Sequence, residues 1–351
     1  MKMKLIFINK MKNNKLNKMK MLMLLMLLFS TLLTINSSTW FNAWMGLELN
    51  LMSFIPLMMN NSKKKNSNSM MMYFIVQAST SSMMMMMIIM TKLEMIQMKM
   101  NITMMLIQSS ILMKMGAAPF HWWMPKIILN LNWMNCFLFF TWQKIAPLFL
   151  IMMLNNNMLI YFMAMMSNIL GAIMGINQNS LKLIMMYSSI NNIGWMLMNL
   201  IMNKNILLIY FTVYSFTIWL ICVMLNNTKT KFINQLYKQN NQNNIMKLII
   251  TSTMFLSLSG LPPFIGFLPK LLTLNLMIKN LMYFESFLFT INAIITLSFY
   301  MKPLLSALIL NKNNFKWMNK NYMTKYFMFN FLMINMSIIF ILMMNSIYNI
   351  L

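Results

Sequence analysis

Apolar runs of membrane-crossing length alternate with short Asn- and Lys-rich gaps along this chain. A hydrocarbon core takes about 20 apolar residues per helix. The pattern predicts eleven spans, near 21–37, 40–59, 70–90, 101–122, 128–153, 158–176, 181–201, 205–225, 246–268, 284–309 and 326–347. The ninth is expected to continue past its proline-rich end, through Lys270 to about Leu281. The expected class is an all-α polytopic membrane protein. Its divisions are a basic N-terminal tail at 1–20, a first five-helix repeat at 21–153, a second at 158–309 and a C-terminal helix at 326–351.

The gaps predict an orientation. With the N-terminus on side A, the gaps on that side, Lys126 and Lys182 included, carry 20 lysines, and those on side B carry 4. Positive residues accumulate on the cytoplasmic or matrix side, so side A is that side, and an odd number of helices keeps the alternation consistent. Met1–Lys20 holds seven lysines ahead of the run Met21–Ile35. No small-residue cleavage site follows, so the reading is a basic tail before a retained helix.

Composition agrees. The 351 residues are 60% hydrophobic and 9% charged, against about 25% charged in a soluble domain. The net charge of +25 would point to nucleic acid in a soluble protein. Here the lysines sit in the gaps between spans, so no nucleic-acid partner is expected. All 28 basic residues are lysine, Asp is absent and Met reaches 54. That usage reads as an A- and T-rich genome whose code adds a codon for Met, as in animal mitochondria. The Met83–Met87 run is then adaptable filler. Cys136 and Cys222 imply no disulfide framework, and with one His the chain lacks ligands for iron–sulfur or bis-His haem. No metal or redox cofactor is expected on this chain.

Four charges remain where lipid tolerates them least: Glu48, Lys114, Lys144 and Lys270, each inside an apolar run. A charge at the bilayer centre costs roughly 2.5–3.5 kcal/mol on insertion scales and marks an ion or proton path by default. Two of them adjoin Gly/Pro interruptions. Lys114 precedes Met115-Gly116-Ala117-Ala118-Pro119-Phe120, and Lys270 ends Gly260-Leu261-Pro262-Pro263-Phe264-Ile265-Gly266-Phe267-Leu268-Pro269. These fall on the fourth and ninth spans, the fourth of each five-helix half, and five helices per half makes the halves inverted. Paired broken helices at matching positions point to a transporter's ion path. Broken backbone in a membrane needs protein or water to satisfy it.

At these residues the chain resembles the family of mitochondrially encoded subunit 2 of NADH–ubiquinone oxidoreductase, respiratory complex I. The matching stretches are Trp44 to Asn50, Lys114 to Trp123, Thr141-Trp142-Gln143-Lys144-Ile145-Ala146-Pro147, Asn177-Gln178, Tyr187 to Ile190 with Gly194-Trp195-Met196, and Leu258 to Lys270. They run in the family's order over residues 40–303, and the residue usage is similar to that of an insect mitochondrial genome. The resemblance implies an antiporter-like fold of two inverted five-helix repeats, with eleven helices in bilaterian animals. It implies a proton-pumping subunit of the membrane arm in the mitochondrial inner membrane, multi-pass, with the N-terminus on the matrix side. Partners would be the other membrane-arm and accessory subunits and membrane lipids. NADH, FMN, iron–sulfur clusters and ubiquinone would be handled by other subunits. Three positions depart from the family: Pro125-Lys126 stands for its Pro-Glu, Asn68 to Met72 lacks the glutamate often found ahead of the tyrosine matched by Tyr73, and Asn191-Asn192 lies where some relatives carry histidine.

The expected mechanism pairs Glu48 with Lys114. A carboxylate near an ammonium keeps both charged, and separation in a dry site shifts each toward neutrality. Lys144 would take the proton laterally from Lys114, and Lys270 would pass it toward the exit, with water bridging. A static Glu48–Lys114 ion pair, or snorkelling of Lys144 and Lys270, are the structural alternatives. His121, beside Trp122 and Trp123, is either a relay or an interfacial anchor. Lys302 and Glu285 read as structural, and Glu94 as a solvated face. Two other readings of the whole chain stay open: a stand-alone cation/proton antiporter of the same fold, and a non-pumping scaffold of the membrane arm.

Overall fold

A computed structural model describes residues 2–59, 64–93, 97–154, 157–237, 242–262 and 264–310, with side chains for the better-placed part of these. The predicted span at 326–347 and Glu94 lie outside the described residues. The described chain is helical. In order it forms α1 (Lys2–Ile35), α2 (Trp40–Met58), α3 (Lys64–Leu93), α4 (Gln97–Met115), α5 (Met124–Ile128), α6 (Trp133–Phe140) and α7 (Trp142–Met152). Then come α8 (Asn157–Ile176), α9 (Leu181–Met202), α10 (Lys204–Thr228), α11 (Ile233–Tyr237), α12 (Gln242–Ser259), α13 (Phe267–Lys279) and α14 (Tyr283–Leu310).

Among the described residues, six helical stretches are long and apolar enough to cross a membrane: Lys18–Ile35, Ser67–Thr91, Trp133–Met152, Met158–Ile176, Lys204–Thr228 and Tyr283–Leu305. Two shorter apolar stretches, Ile102–Met115 and Ile250–Ser259, each stop at a break. Several helix starts are set by local chemistry. Thr39 and Ser180 accept from the backbone N–H three residues on, and Asn203 caps α10, satisfying donors a helix cannot satisfy itself. Ser and Thr inside the spans bond back to a preceding carbonyl, as Ser188 does to Met185 and Thr273 to Lys270. That is how hydroxyls are carried in apolar helices at little cost.

The structure differs from the sequence reading at four places. The N-terminal lysines expected as a tail lie on α1, which is helical from Lys2. The fourth span does not run to 122, because α4 ends at Met115. The fifth is divided into α6 and α7, with the short α5 ahead of it. Lys182, counted among the gap lysines, is in the first turn of α9 and only 5% exposed.

The chain divides into two compact units. The first takes the described residues up to Gly116 together with Trp122–Leu159. In it α2 packs on α1 and α3, α3 on α4 and α5, and α7 on α1, α2, α4 and α6. Its centre is a ring cluster in which Tyr73 meets Phe54 edge-on at 5.4 Å and Trp123 meets Phe139 at 5.7 Å. The Met-rich run of α3 is split by helical period: Met84 is buried, while Met83 and Met86 are exposed, as expected of core and lipid-facing positions.

The second unit takes Ala117–His121 and the described residues from Ile160 on. Here α12 packs on α10 and α14, and α13 on α9, α10 and α14. Trp195 and Phe289 meet edge to face at 4.8 Å. Helices α8 and α9 approach closely through small residues. A Cβ on Gly171 would lie 2.6 Å from the Asn191 backbone nitrogen, and one on Gly194 would lie 2.8 Å from Ser167 Oγ. Small residues at such crossings are the usual means of helix association where lipid supplies no hydrophobic drive.

Candidate functional site

In the first unit, Lys114 occupies the last turn of α4. A cation there meets the negative end of the helix dipole. The helix stops one residue later, at Met115, because Gly116 takes φ +70, with its N–H on the Met113 carbonyl. That left-handed conformation favours glycine and is a common helix terminator. The Lys114 side chain is 8% exposed. Glu48, half-buried on α2, is close enough to act on it electrostatically. No direct ion pair joins the two among the described residues.

Lys144 follows a second interruption. The apolar stretch Trp133–Met152 is broken at Thr141, between α6 and α7. Lys144 therefore lies in the first turn of α7, its N–H on the Thr141 carbonyl. At 2% exposure it does not snorkel. Lys114 and Lys144 line one cavity, together with the polar side chains Asn50, Tyr73, Gln77 and Gln143. Trp123 and Phe139 are among its apolar walls. The cavity holds about 20 Å³ of space for water centres, and a water needs roughly 10–15 Å³.

The polar walls are linked. Tyr73 Oη donates to Gln143 Oε1 at 3.3 Å, and Gln143 Nε2 donates to Asn50 Oδ1 at 3.0 Å. This chain of bonds crosses from α3 through α7 to α2. Gln77 Nε2 donates to the Lys114 carbonyl at 3.4 Å, tying α3 to the end of α4. Asn50 and Gln143 fall within the stretches that carry the resemblance, and the sequence alone assigns them no role. The available signal was an uncharged amide beside an intramembrane charge, on Gln143 next to Lys144 and on Asn50 two residues from Glu48.

In the second unit, α12 ends at Ser259 and Gly260 takes φ +80. The chain turns and resumes helix at Phe267. Lys270, in the first turn of α13, reaches back across this break. Its Nζ donates to the Ser259 carbonyl at 2.8 Å and to the Leu258 carbonyl at 3.2 Å. It also lies 6.0 Å from the centre of the Trp195 ring. The terminal carbonyls of α12 would otherwise lack intrahelical partners. Lys270 is 7% exposed and, like Lys144, does not snorkel. Nearby on α9, Asn192 accepts from Tyr210 Oη at 2.7 Å and donates to the Ser188 carbonyl at 2.9 Å.

The remaining charged or titratable candidates make local contacts. His121, half-buried, sets its ring against Tyr187 at 6.5 Å, within the second unit. Glu285, in the first turn of α14, accepts a hydrogen bond from Tyr161 Oη of α8. Lys302 Nζ donates to the carbonyl of Ile176, the last residue of α8.

Comparison with known proteins gives this arrangement a context. A family model described as NADH:quinone oxidoreductase/Mrp antiporter, TM matches residues 37–296. NADH-ubiquinone oxidoreductase chain 2 of Anopheles gambiae is 40% identical over 304 residues, 84% of this chain and 87% of its own length. The protein of the same name from Aedes aegypti is 41% identical over 295 residues, 83% of this chain and 86% of its own. Among solved structures, a chain of respiratory complex I from Thermus thermophilus matches with TM-score 0.74 and 17% identity, over 82% of this chain and 70% of its own. A chain of an archaeal membrane-bound sulfane sulfur reductase matches with TM-score 0.77 and 14% identity, over 93% and 73%. A chain of the Mrp complex from Dietzia matches with TM-score 0.68 and 12% identity, over 85% and 61%. At these identities the solved structures establish a shared antiporter-like fold.

Proposed function

This chain belongs to the NADH-ubiquinone oxidoreductase chain 2 family, and from that premise we propose that it translocates protons through Glu48, Lys114, Lys144 and Lys270. It is a multi-pass, antiporter-like subunit of the membrane arm of respiratory complex I. The relay is the mechanistic part of the proposal. The observation that carries it is the small polar cavity lined by both Lys114 and Lys144.

Lysine can hold or release a proton when buried, and two lysines around one water-sized space can exchange one. Glu48, within electrostatic range of Lys114, attracts the ammonium and so holds the proton at the start of the path. When that attraction is weakened, the proton passes through bridging water to the Lys144 amine. Lys270 serves the second unit. Its Nζ donates to the carbonyls of Leu258 and Ser259, which hold the side chain across the break. His121 is a further titratable candidate, and its contact with Tyr187 supports the anchoring role.

The same reading sets the surroundings. The chain works in the mitochondrial inner membrane with its N-terminus on the matrix side, as the lysine bias of the gaps argues, still 19 to 4 once Lys182 is set aside. It acts within a proton-translocating NADH:ubiquinone reductase, contacting other membrane-arm and accessory subunits and membrane lipids. NADH, FMN, iron–sulfur clusters and ubiquinone are handled elsewhere in that complex. A stand-alone antiporter is the weaker reading, because relatives at 40–41% identity bear the name of a complex I chain. The experiment is Lys114→Ala in the assembled complex in sealed vesicles, with protons moved per NADH oxidised as the readout and a native gel to verify assembly. A sharp fall supports the relay. Normal pumping favours the non-pumping scaffold.

A further inference from the structure

We infer that Gln143 is a positioning residue, ordering the water that a proton crosses between Lys114 and Lys144. The inference rests on the relay reading and adds a residue outside its titratable set. Gln143 is one of the polar walls of the cavity that Lys114 and Lys144 share. Its amide is held at both ends: Oε1 accepts from Tyr73 Oη at 3.3 Å, and Nε2 donates to Asn50 Oδ1 at 3.0 Å. Tyr73 and Asn50 are themselves 2% and 4% exposed. The Tyr73 ring is fixed by Phe54, Trp123 and Phe139 around it. An amide gripped this way has a set orientation.

A glutamine amide offers two N–H donors and two acceptor lone pairs. The two bonds described use one of each, leaving a donor and an acceptor for a water in the adjoining space. Gln143 also precedes Lys144 immediately, in the first turn of α7 after the interruption at Thr141. Fixing Gln143 to α2 and α3 therefore fixes the turn that carries Lys144. In the transfer, the Lys114 ammonium gives a proton to the water as that water gives one to the Lys144 amine. Gln143 gains and loses none. Its part is to hold the water and the receiving turn in register, and an error of about 1 Å in such placement costs on the order of a hundredfold in rate.

The test uses the assembled complex, checked by native gel, in sealed vesicles. Gln143→Leu is close in volume and removes the amide. The expected result is normal assembly, at least a tenfold fall in protons pumped per unit time, and a larger deuterium solvent isotope effect than the unaltered complex shows. Tyr73→Phe should move the same readouts in the same direction, and the double variant should be no worse than Gln143→Leu alone. A packing role would leave the isotope effect unchanged. If Gln143→Leu fails to assemble, Tyr73→Phe decides alone: a lowered rate with a raised isotope effect supports the inference, and a normal rate overturns it. Lys114→Ala is run alongside. Impaired Lys114→Ala with normal Gln143→Leu overturns only the role of Gln143. If both variants are normal, the relay itself fails.

Discussion

Lys270 Nζ donates to the Ser259 carbonyl at 2.8 Å, so a lysine in the first turn of one helix closes the open end of the helix before it. The bond spans a break that begins at Gly260, where φ is +80. A charge proposed to carry protons is thus also part of what keeps the broken backbone satisfied. The two roles respond differently to substitution.

Lys270→Arg separates them. Arginine keeps a positive donor for the carbonyls of Leu258 and Ser259 but does not release its proton. The complex is expected to assemble at near-normal levels while pumping falls sharply. Lys270→Leu, in contrast, leaves those buried carbonyls unpaired, at about 1–3 kcal/mol, and should lower the thermal midpoint of the assembled complex as well. Differential scanning fluorimetry beside a pumping assay distinguishes the two.

The positive-φ glycines predict unequal effects. A Cβ on Gly260 would lie 2.8 Å from Lys270 Cδ, and one on Gly116 would lie 1.9 Å from Met124 Cε. Either substitution by alanine carries roughly 1–2 kcal/mol for the left-handed backbone. The methionine tip is flexible and moves aside, whereas moving the Lys270 stem disturbs its bonds to α12. Gly260→Ala should therefore lose more pumping than Gly116→Ala.

Glu285 gives a prediction of no catalytic effect. It accepts from Tyr161 Oη and so ties the start of α14 to α8. Glu285→Gln keeps an acceptor and should leave the rate of pumping within twofold of normal. Glu285→Ala removes the tie and should reduce the amount of assembled complex on a native gel, with pumping per assembled complex unchanged.

The lysines are legible in sequence because a charge in an apolar run has few explanations in lipid. The breaks at Gly116 and Gly260 are legible because glycine and proline cluster there. The interruption at Thr141 is not, since Phe139-Phe140-Thr141-Trp142 carries neither residue. Lys182 stands at the second position of the predicted span 181–201 and counts with the polar gap Asn177 to Ser180 beside it, and the capping by Ser180 fixes it in the first turn of α9. Asn50 and Gln143 are hidden for another reason. Amides carry no charge, and whether one reaches Tyr73 depends on the rotation of three helices, which hydropathy does not encode. Glu48 and Lys114 are legible as charges in apolar runs, whereas the absence of Glu48 from the cavity lining is a matter of packing.

The central claim is that Lys114 and Lys144 act on one proton through one cavity. The most direct measurement is a double-mutant cycle, with Lys114→Ala, Lys144→Ala and the pair compared for protons pumped per NADH oxidised in assembled complexes in sealed vesicles. A shared path predicts that each single variant loses at least about tenfold and that the pair is no worse than the worse single, because coupled sites are not additive. Normal pumping by either single variant, or losses that multiply in the pair, would contradict it.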